Sequence, residues 1–419
     1  MDRRNFLQSI AGLGVAASGW PGAELLARPS GAPAYFGLHP FIEAHPEAVF
    51  IRKTNVASKG DSDGKKHEAS ELARQIFTLR NTPGIDLSHK LAIKPNLTAT
   101  SGTGLTYGIV TDPYVVEGLI AGITQAGFGA ESIYVREGLG PDQMGTRYHE
   151  MAQRSGVHYD DRDSRTPTFK DCPDGVVFQR TKYLGPFNYP DCHLLNVSKM
   201  KAHSMGLSLC VKNLQGTNVH PYMHFCSGLE DAIAQDFQPD AERHINDLHA
   251  KHRKAGIPRW DTEKAAWMEM WIQRTIDSYS LIRPSILLNM IEGVYAQNGD
   301  GFSSGPGRNG TPEVFMTNVL IFGKDAFRVD IIGHWLGGHE PGNFALFHLA
   351  KERGVSTALN PHNIPVYRWE DSGPKLAPLD QFARTPLTTL YLPKQGEPQY
   401  HLCNEPFAYP TEPVHASLS

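Results

Sequence analysis

The chain is predicted to be an α/β protein, with a predominantly parallel or mixed sheet flanked by helices and joined by long Gly/Pro-rich loops. Three observations predict this. Short apolar runs of strand length alternate with amphipathic helical stretches; residues 91–135 give the full order strand, loop, helix, strand; and 40 Gly with 30 Pro make up about a sixth of the 419 residues, well above average usage. This length supports one large or two medium domains. Lys and Arg number 40 against 44 Asp and Glu, a net charge of −4 with His neutral. With no long charge block, electrostatics gives no basis for a nucleic-acid or anionic-membrane partner.

Residues 1–27 are set apart from the fold. Arg3 and Arg4, then Phe6 and Leu7 and the uncharged run IAGLGVAASGW, resemble a twin-arginine export signal. The export machinery of that route is therefore an expected partner, and the bacterial periplasm or exterior the expected location. The apolar run is short and rich in Gly and Ala, and no later run approaches about 18 apolar residues, so no integral membrane domain is expected after processing. Five cysteines, Cys172, Cys192, Cys210, Cys226 and Cys403, include no CxxC pair, so no iron–sulfur cluster of the usual spacing is expected. Beyond the signal the chain divides into an N-terminal extension (28–90), an α/β domain (91–373) and a Pro-punctuated tail (374–419) expected to wrap the domain.

Residues 28–64 carry one expected strand, at 48–52. The spacing of Leu72, Ile76 and Leu79 predicts a helix over 67–80, stopped by the turn at 81–84. An apolar strand over 91–93 runs into Lys94, Pro95 and Asn96, where side chains change from packing to polar roles. The loop TATSGTGLTYGIVTDP leads to Thr111 or Asp112 as a helix cap, with Pro113 in the first turn. Val115, Val116, Leu119, Ile120 and Ile123 give that helix one apolar face, and Gly127 ends it. A strand over 133–135 closes a βαβ unit with an expected parallel crossover and delivers Arg136, Glu137 and Gly138. The Gly-rich loop matches neither GxGxxG nor GxxxxGK followed by Ser or Thr, so it carries no nucleotide fingerprint.

Next come a helix over 147–154 closed by Gly156, a surface loop over 158–170 with Asp160, Asp161 and Asp163, and strands at 176–179 and 194–197. Helices are expected over 229–237, 244–252 and 267–279. A strand over 286–291 delivers Glu292 and Gly293 into the loop YAQNGDGFSSGPGRNGTP, whose low apolar content suits a binding or lid role. A strand at 319–322 and a buried helix over 327–336 carrying Asp330 follow.

Chemistry concentrates in residues 191–224, DCHLLNVSKMKAHSMGLSLCVKNLQGTNVHPYMH. An apolar strand end hands over to Ser198, Lys199, Lys201 and His203, and in open α/β sheets ligands sit at such handovers. Lys201, His203, Lys212, Asn213, His220 and His224 fall close together, with Gly206 and Gly216 as bends.

The ordered set KPN at 94–96, TDP at 111–113, EG at 137–138, KMKAH at 199–203, VKNLQG at 211–216, EG at 292–293 and the acids Asp325 and Asp330 resembles the bacterial and archaeal family known as domain of unknown function 362. The resemblance runs from about Lys94 to Leu349. It implies an α/β domain and a shared site. Some members carry ferredoxin-like Cys motifs, which this chain lacks.

Lys94, Lys201 and Lys212 are point charges suited to a carboxylate or phosphate, with Asn96, Asn213 and Glu292 as further substrate contacts. A small anionic molecule is accordingly the expected ligand. His203, His224 and Glu137 form the candidate metal set, a mixed donor group suited to divalent Fe, Zn or Mn, although no established zinc spacing is present. In an enzyme, the metal would polarise an oxygen or activate water. His203 would relay a proton, Lys201 and Lys212 would stabilise developing negative charge, and Asp330 would orient His203. This describes a metal-dependent hydrolase or oxidoreductase. The absence of a nucleophile triad or cofactor fingerprint supports the alternative, a periplasmic anion-binding or assembly factor without turnover. A structural protein whose Gly-rich loops meet a partner is a third reading.

Overall fold

The computed structural model describes residues 34–98, 108–138, 147–159, 166–203, 206–223, 231–257, 266–299, 313–391, 399–401 and 406–409. The expected signal, Asp160, Asp161, Asp163, His224, Cys226, Cys403 and most of the expected lid loop lie outside these residues.

Among the described residues ten strands form one sheet: β1 (Val49–Lys53), β2 (Lys90–Pro95), β3 (Ile133–Val135), β4 (His158–Tyr159), β5 (Cys192–His203), β6 (Gly206–Ser208), β7 (Ile286–Gln297), β8 (Val314–Gly323), β9 (Val366–Glu370) and β10 (Gly373–Leu376). Their spatial order is β10-β9-β1-β8-β7-β5-β2-β3-β4, with β6 folded back antiparallel on the end of β5. The block β4, β3, β2, β5 and β7 is parallel. β8 runs antiparallel between β7 and β1, and β9 runs parallel to β1. The fold is thus α/β with a mixed, mostly parallel sheet.

Helices cover both faces, so each central strand is buried on two sides and its side chains alternate between two cores. On one face α1 (Ser62–Ile76), α2 (Pro113–Gln125) and α3 (Tyr148–Ser155) set Leu72, Ile76, Val115, Leu119 and Met151 against Leu91, Ile93, Leu195 and Val197. The opposite face is covered by α4 (Cys210–Asn213), α6 (Ala266–Ile282), α7 (Ala326–Leu336) and α8 (Ala345–Glu352). There Trp271, Ile276, Ile331 and Phe347 pack against Ala92, Leu194, Ile291 and Ile321. Before α6 comes α5 (Ala241–Lys254). No helix among the described residues is long and apolar enough to cross a membrane.

Several readings of local signals hold. Asp112, not Thr111, caps α2 by accepting from Tyr114 N at 2.9 Å. Gly127 follows the C-cap of α2, Gly156 closes α3, and Asp325 caps α7 through Phe327 N and Arg328 N. Others need correction. The helix expected over 67–80 starts at Ser62 and stops at Ile76, because residues 77–80 pair antiparallel with Tyr35–Leu38 and Phe77 stacks on Phe36 at 5.4 Å. No strand forms over 176–179: the amides of Val176, Val177 and Phe178 donate to the buried carboxylate of Asp277 at 2.8–3.0 Å, and the strand is instead Arg180–Tyr183. The 229–237 helix is a short 3-10 segment, Asp231–Asp236. The strands expected at 194–197 and 286–291 run on to His203 and Gln297. Their apolar pattern breaks where the backbone does not, because buried polar side chains continue the strand.

The helices α1 and α2 approach closely through Gly118 and Gly122. A Cβ at Gly118 would stand 2.4 Å from Lys66 O, and one at Gly122 would stand 2.5 Å from Ala73 Cβ. Gly122→Leu is therefore expected to push the helices apart at a cost of about 1–3 kcal/mol. Thermal unfolding reads the loss, and an unchanged midpoint would contradict this contact.

Candidate functional site

The carboxy-terminal ends of β2, β3, β5 and β7 converge, as open α/β sheets arrange their ligand sites. Register places Asn196 between Lys94 and Asn289, and Lys199 beside Glu292. β2 ends opposite Val197, so the last half of β5 projects beyond it. Met200 and Ala202 turn to the α6–α8 core, and Lys199, Lys201 and His203 alternate to the side of α1 and α2.

On that side, Lys199 Nζ donates to Glu292 Oε2 at 2.5 Å and lies 3.4 Å from the centroid of the Tyr295 ring. Both ion-pair side chains are fully buried. Burial pushes the Glu292 carboxyl up and the Lys199 amine down, and each partner's charge opposes that push. Glu292 also accepts from Asp112 N at 3.2 Å and Val294 N at 3.0 Å. Asp112 in turn receives Lys65 Nζ at 2.6 Å and the Tyr295 hydroxyl at 2.7 Å while capping α2. One carboxylate thereby ties α1, α2 and β7 together.

On the α4 side, Lys94 Nζ has three acceptors: Glu137 Oε2 at 2.6 Å, Pro95 O at 2.7 Å and Asn213 Oδ1 at 3.0 Å. Burial lowers its pKa, and the charge and hydrogen bond of Glu137 act against this. Glu137 accepts further from Leu97 N and Gly138 N. Gly216 lies against the pair so closely that a Cβ there would stand 1.9 Å from Glu137 Oε1. Asn213 donates to Lys94 O and Asn196 Oδ1, and Asn196 donates to Asn289 Oδ1 and Cys210 O. Asp330 accepts from Cys210 N at 2.7 Å and Val211 N at 2.9 Å, supplying the missing N-terminal acceptors of α4. Burial raises its pKa to about 7 against the pull of those two amides.

Between the two sets lies Lys201, 2 % exposed. Its Nζ donates to Ile109 O at 2.7 Å and Asn96 Oδ1 at 3.1 Å, both uncharged. Burial holds its pKa well below the usual lysine value, and the charge of Lys212 lowers it further. His203 is likewise held well below its ordinary value by burial and then by Lys212 and Lys201. Lys212 is half-buried on α4 and has no carboxylate partner among the described residues.

A family model described as domain of unknown function (DUF362) matches residues 91–334, more than half of the chain. The chain belongs to this family. No curated protein and no solved structure matches it. Apart from Lys65, every residue of the network just described falls inside the DUF362 segment.

The structure brings the predicted residues Lys94, Glu137 and Asn213 into one cluster, and Asn96 and Lys201 into a second. It places Glu292 in an ion pair with Lys199 and Asp330 under α4, where both carboxylate oxygens are engaged by backbone amides. His220 is exposed, and His224 lies outside the described residues. Among the described residues no group of three or more His, Cys, Asp or Glu side chains stands as a metal site. Glu137 is committed to Lys94 and two amides, so its lone pairs are largely spoken for. Cys172, Cys192 and Cys210 are buried free thiols.

Sequence reasoning missed Lys65, Asn196, Asn289 and Tyr295, and it placed Lys199 at the strand end without assigning it a partner or a role. One signal was available: Lys65 falls on the apolar stripe of α1 with Ala69, Leu72 and Ile76, where an unpaired lysine is costly.

Glu292→Gln leaves Lys199 buried without its counter-charge and is expected to cost about 3–5 kcal/mol, read by denaturant unfolding. The double change Lys199→Met with Glu292→Met should cost much less; equal losses would contradict a paired charge. Lys201→Met removes a desolvated amine and should stabilise the fold by about 1–2 kcal/mol. The unfolded lysine holds its proton up to its ordinary pKa of 10.5, whereas the folded one releases it at lower pH. The gain is therefore greatest below the folded pKa and fades as pH rises from there toward 10.5. A gain that does not vary with pH would contradict the lowered pKa.

Proposed function

We propose that the DUF362 segment of this chain binds a small anion, a carboxylate or phosphate, at the carboxy-terminal end of the sheet. The observation that carries this reading is the charge inventory. The pairs Lys65–Asp112, Lys94–Glu137 and Lys199–Glu292 satisfy one another, whereas among the described residues neither Lys201 nor Lys212 is ion-paired to a carboxylate, and the charge of Lys212 acts on Lys201 more strongly than that of Glu137. Lys212 is thus a half-buried charge that no carboxylate among the described residues meets, and a ligand anion supplies its counter-charge. Lys212 gives the charged contact, Lys201 and Asn96 the hydrogen bonds, and His203 a proton acceptor on the same strand face. The leader with Arg3 and Arg4 supports placing this binding in the periplasm or outside the cell. Turnover, metal-assisted or not, would be built on the same anion.

Calorimetric titration with inorganic phosphate and with acetate tests the reading. The protein is expected to bind at least one of them, and Lys212→Ala and Lys201→Met should each weaken binding at least about tenfold. Added salt should weaken it as well. Binding of neither ion, or binding unchanged in both variants, would contradict the proposal.

A further inference from the structure

We infer that Lys201 is a nucleophilic amine that forms an imine with a small carbonyl compound bearing an anionic group, a 2-oxo acid being the simplest of this class. The inference rests on the proposed anion site and names its substrate chemistry.

The hydrogen-bond count distinguishes Lys201 from its neighbours. A lysine ammonium has three N–H donors, and Lys94 uses all three, one on a carboxylate. Lys199 is matched by Glu292 and the face of Tyr295, and Lys65 by Asp112. Among the described residues Lys201 has two acceptors, the peptide oxygen of Ile109 and the amide oxygen of Asn96. A neutral amine has two N–H groups and a lone pair. The two acceptors use the hydrogens and leave the lone pair for a ligand. Among the described residues the three buried carboxylates at this end of the sheet are each taken by another lysine, and the positive charge of Lys212 also acts on Lys201. Desolvation beside a second cation is an established way to keep a lysine nucleophilic.

The reaction balances without a further reagent. The Nζ lone pair attacks the carbonyl carbon, a C–N bond forms, and the C=O π electrons move to oxygen, which gains a proton to give a carbinolamine. The C–O bond then breaks, and the oxygen leaves as water with both amine hydrogens, giving C=N. His203, two residues along on the same face of β5, is the side chain to carry the proton from nitrogen to the departing oxygen. Lys212 holds the carboxylate or phosphate of the same molecule, so anion and carbonyl are recognised together.

The full chain is incubated with pyruvate, whose carbonyl adjoins its carboxylate, or with levulinate, which has two methylenes between them. It is then reduced with sodium borohydride and analysed by intact mass and peptide mapping. At least one probe is expected to leave a single reduced adduct on Lys201, absent in Lys201→Met and Lys201→Arg. Acetaldehyde, a carbonyl without the anion, should label at least about tenfold more slowly, and that preference should disappear in Lys212→Ala, which retains Lys201. Phosphate binding by calorimetry without an adduct from either probe would overturn the imine and leave the anion site standing. Absence of both would overturn the two together. Adducts spread over surface lysines, or an adduct persisting in Lys201→Arg, would also overturn the inference.

Discussion

A buried ammonium must find its counter-charge inside the protein, and this requirement organises the whole carboxy-terminal end of the sheet. Lys65, Lys94, Lys199 and Lys201 are all buried there, with three buried carboxylates to meet them. Each pair recruits a different part of the chain. Asp112 joins α1 to the start of α2; Glu137 ties the end of β3 to β2; Glu292 locks β7 to β5. Breaking one pair therefore removes a link between elements as well as a charge interaction, and the cost exceeds that of a surface ion pair. Lys201 is left over, and the site follows from that remainder.

The opposite face of the same strands supplies rigidity. Asn196 sits between Asn213 and Asn289, and the chain of side-chain amides spans β5, β7 and α4. Asp330 on α7 holds the first turn of α4 by two amides, and α4 carries Lys212 and Asn213. The turn that carries Lys212 is thus held by a carboxylate on another helix. Such support from outside a ligand-contacting group is what fixes its geometry.

Much of the scaffold was legible because its signals are local. The βαβ unit at 91–135, the cap at Asp112 and the terminators Gly127 and Gly156 depend on residues a few positions apart. The cluster at 199–213 was also visible as an accumulation of Lys, His and Asn after an apolar strand. The partners were not. Lys199 meets Glu292 across 93 positions, and Lys65 meets Asp112 across 47. Spacing reveals that a residue lies on a strand, not which distant carboxylate shares its pocket. For the same reason the neighbours of Glu292 and Asp330, the Lys199 ammonium and the Cys210 and Val211 amides, were not legible in the spacing. The strands were read as too short because an apolar pattern reports burial of hydrocarbon, and β5 continues as a strand through buried Ser198, Lys199, Lys201 and His203.

The protonation of Lys201 tests this account most directly. Nitrogen-15 spectra of labelled lysine side chains at neutral pH, assigned through Lys201→Arg and Lys94→Arg, separate an amine from an ammonium by Nζ shift. An amine is expected at Lys201 both in the free protein and with phosphate bound, beside an ammonium at Lys94 in each state. An ammonium at Lys201 in the free protein would contradict it.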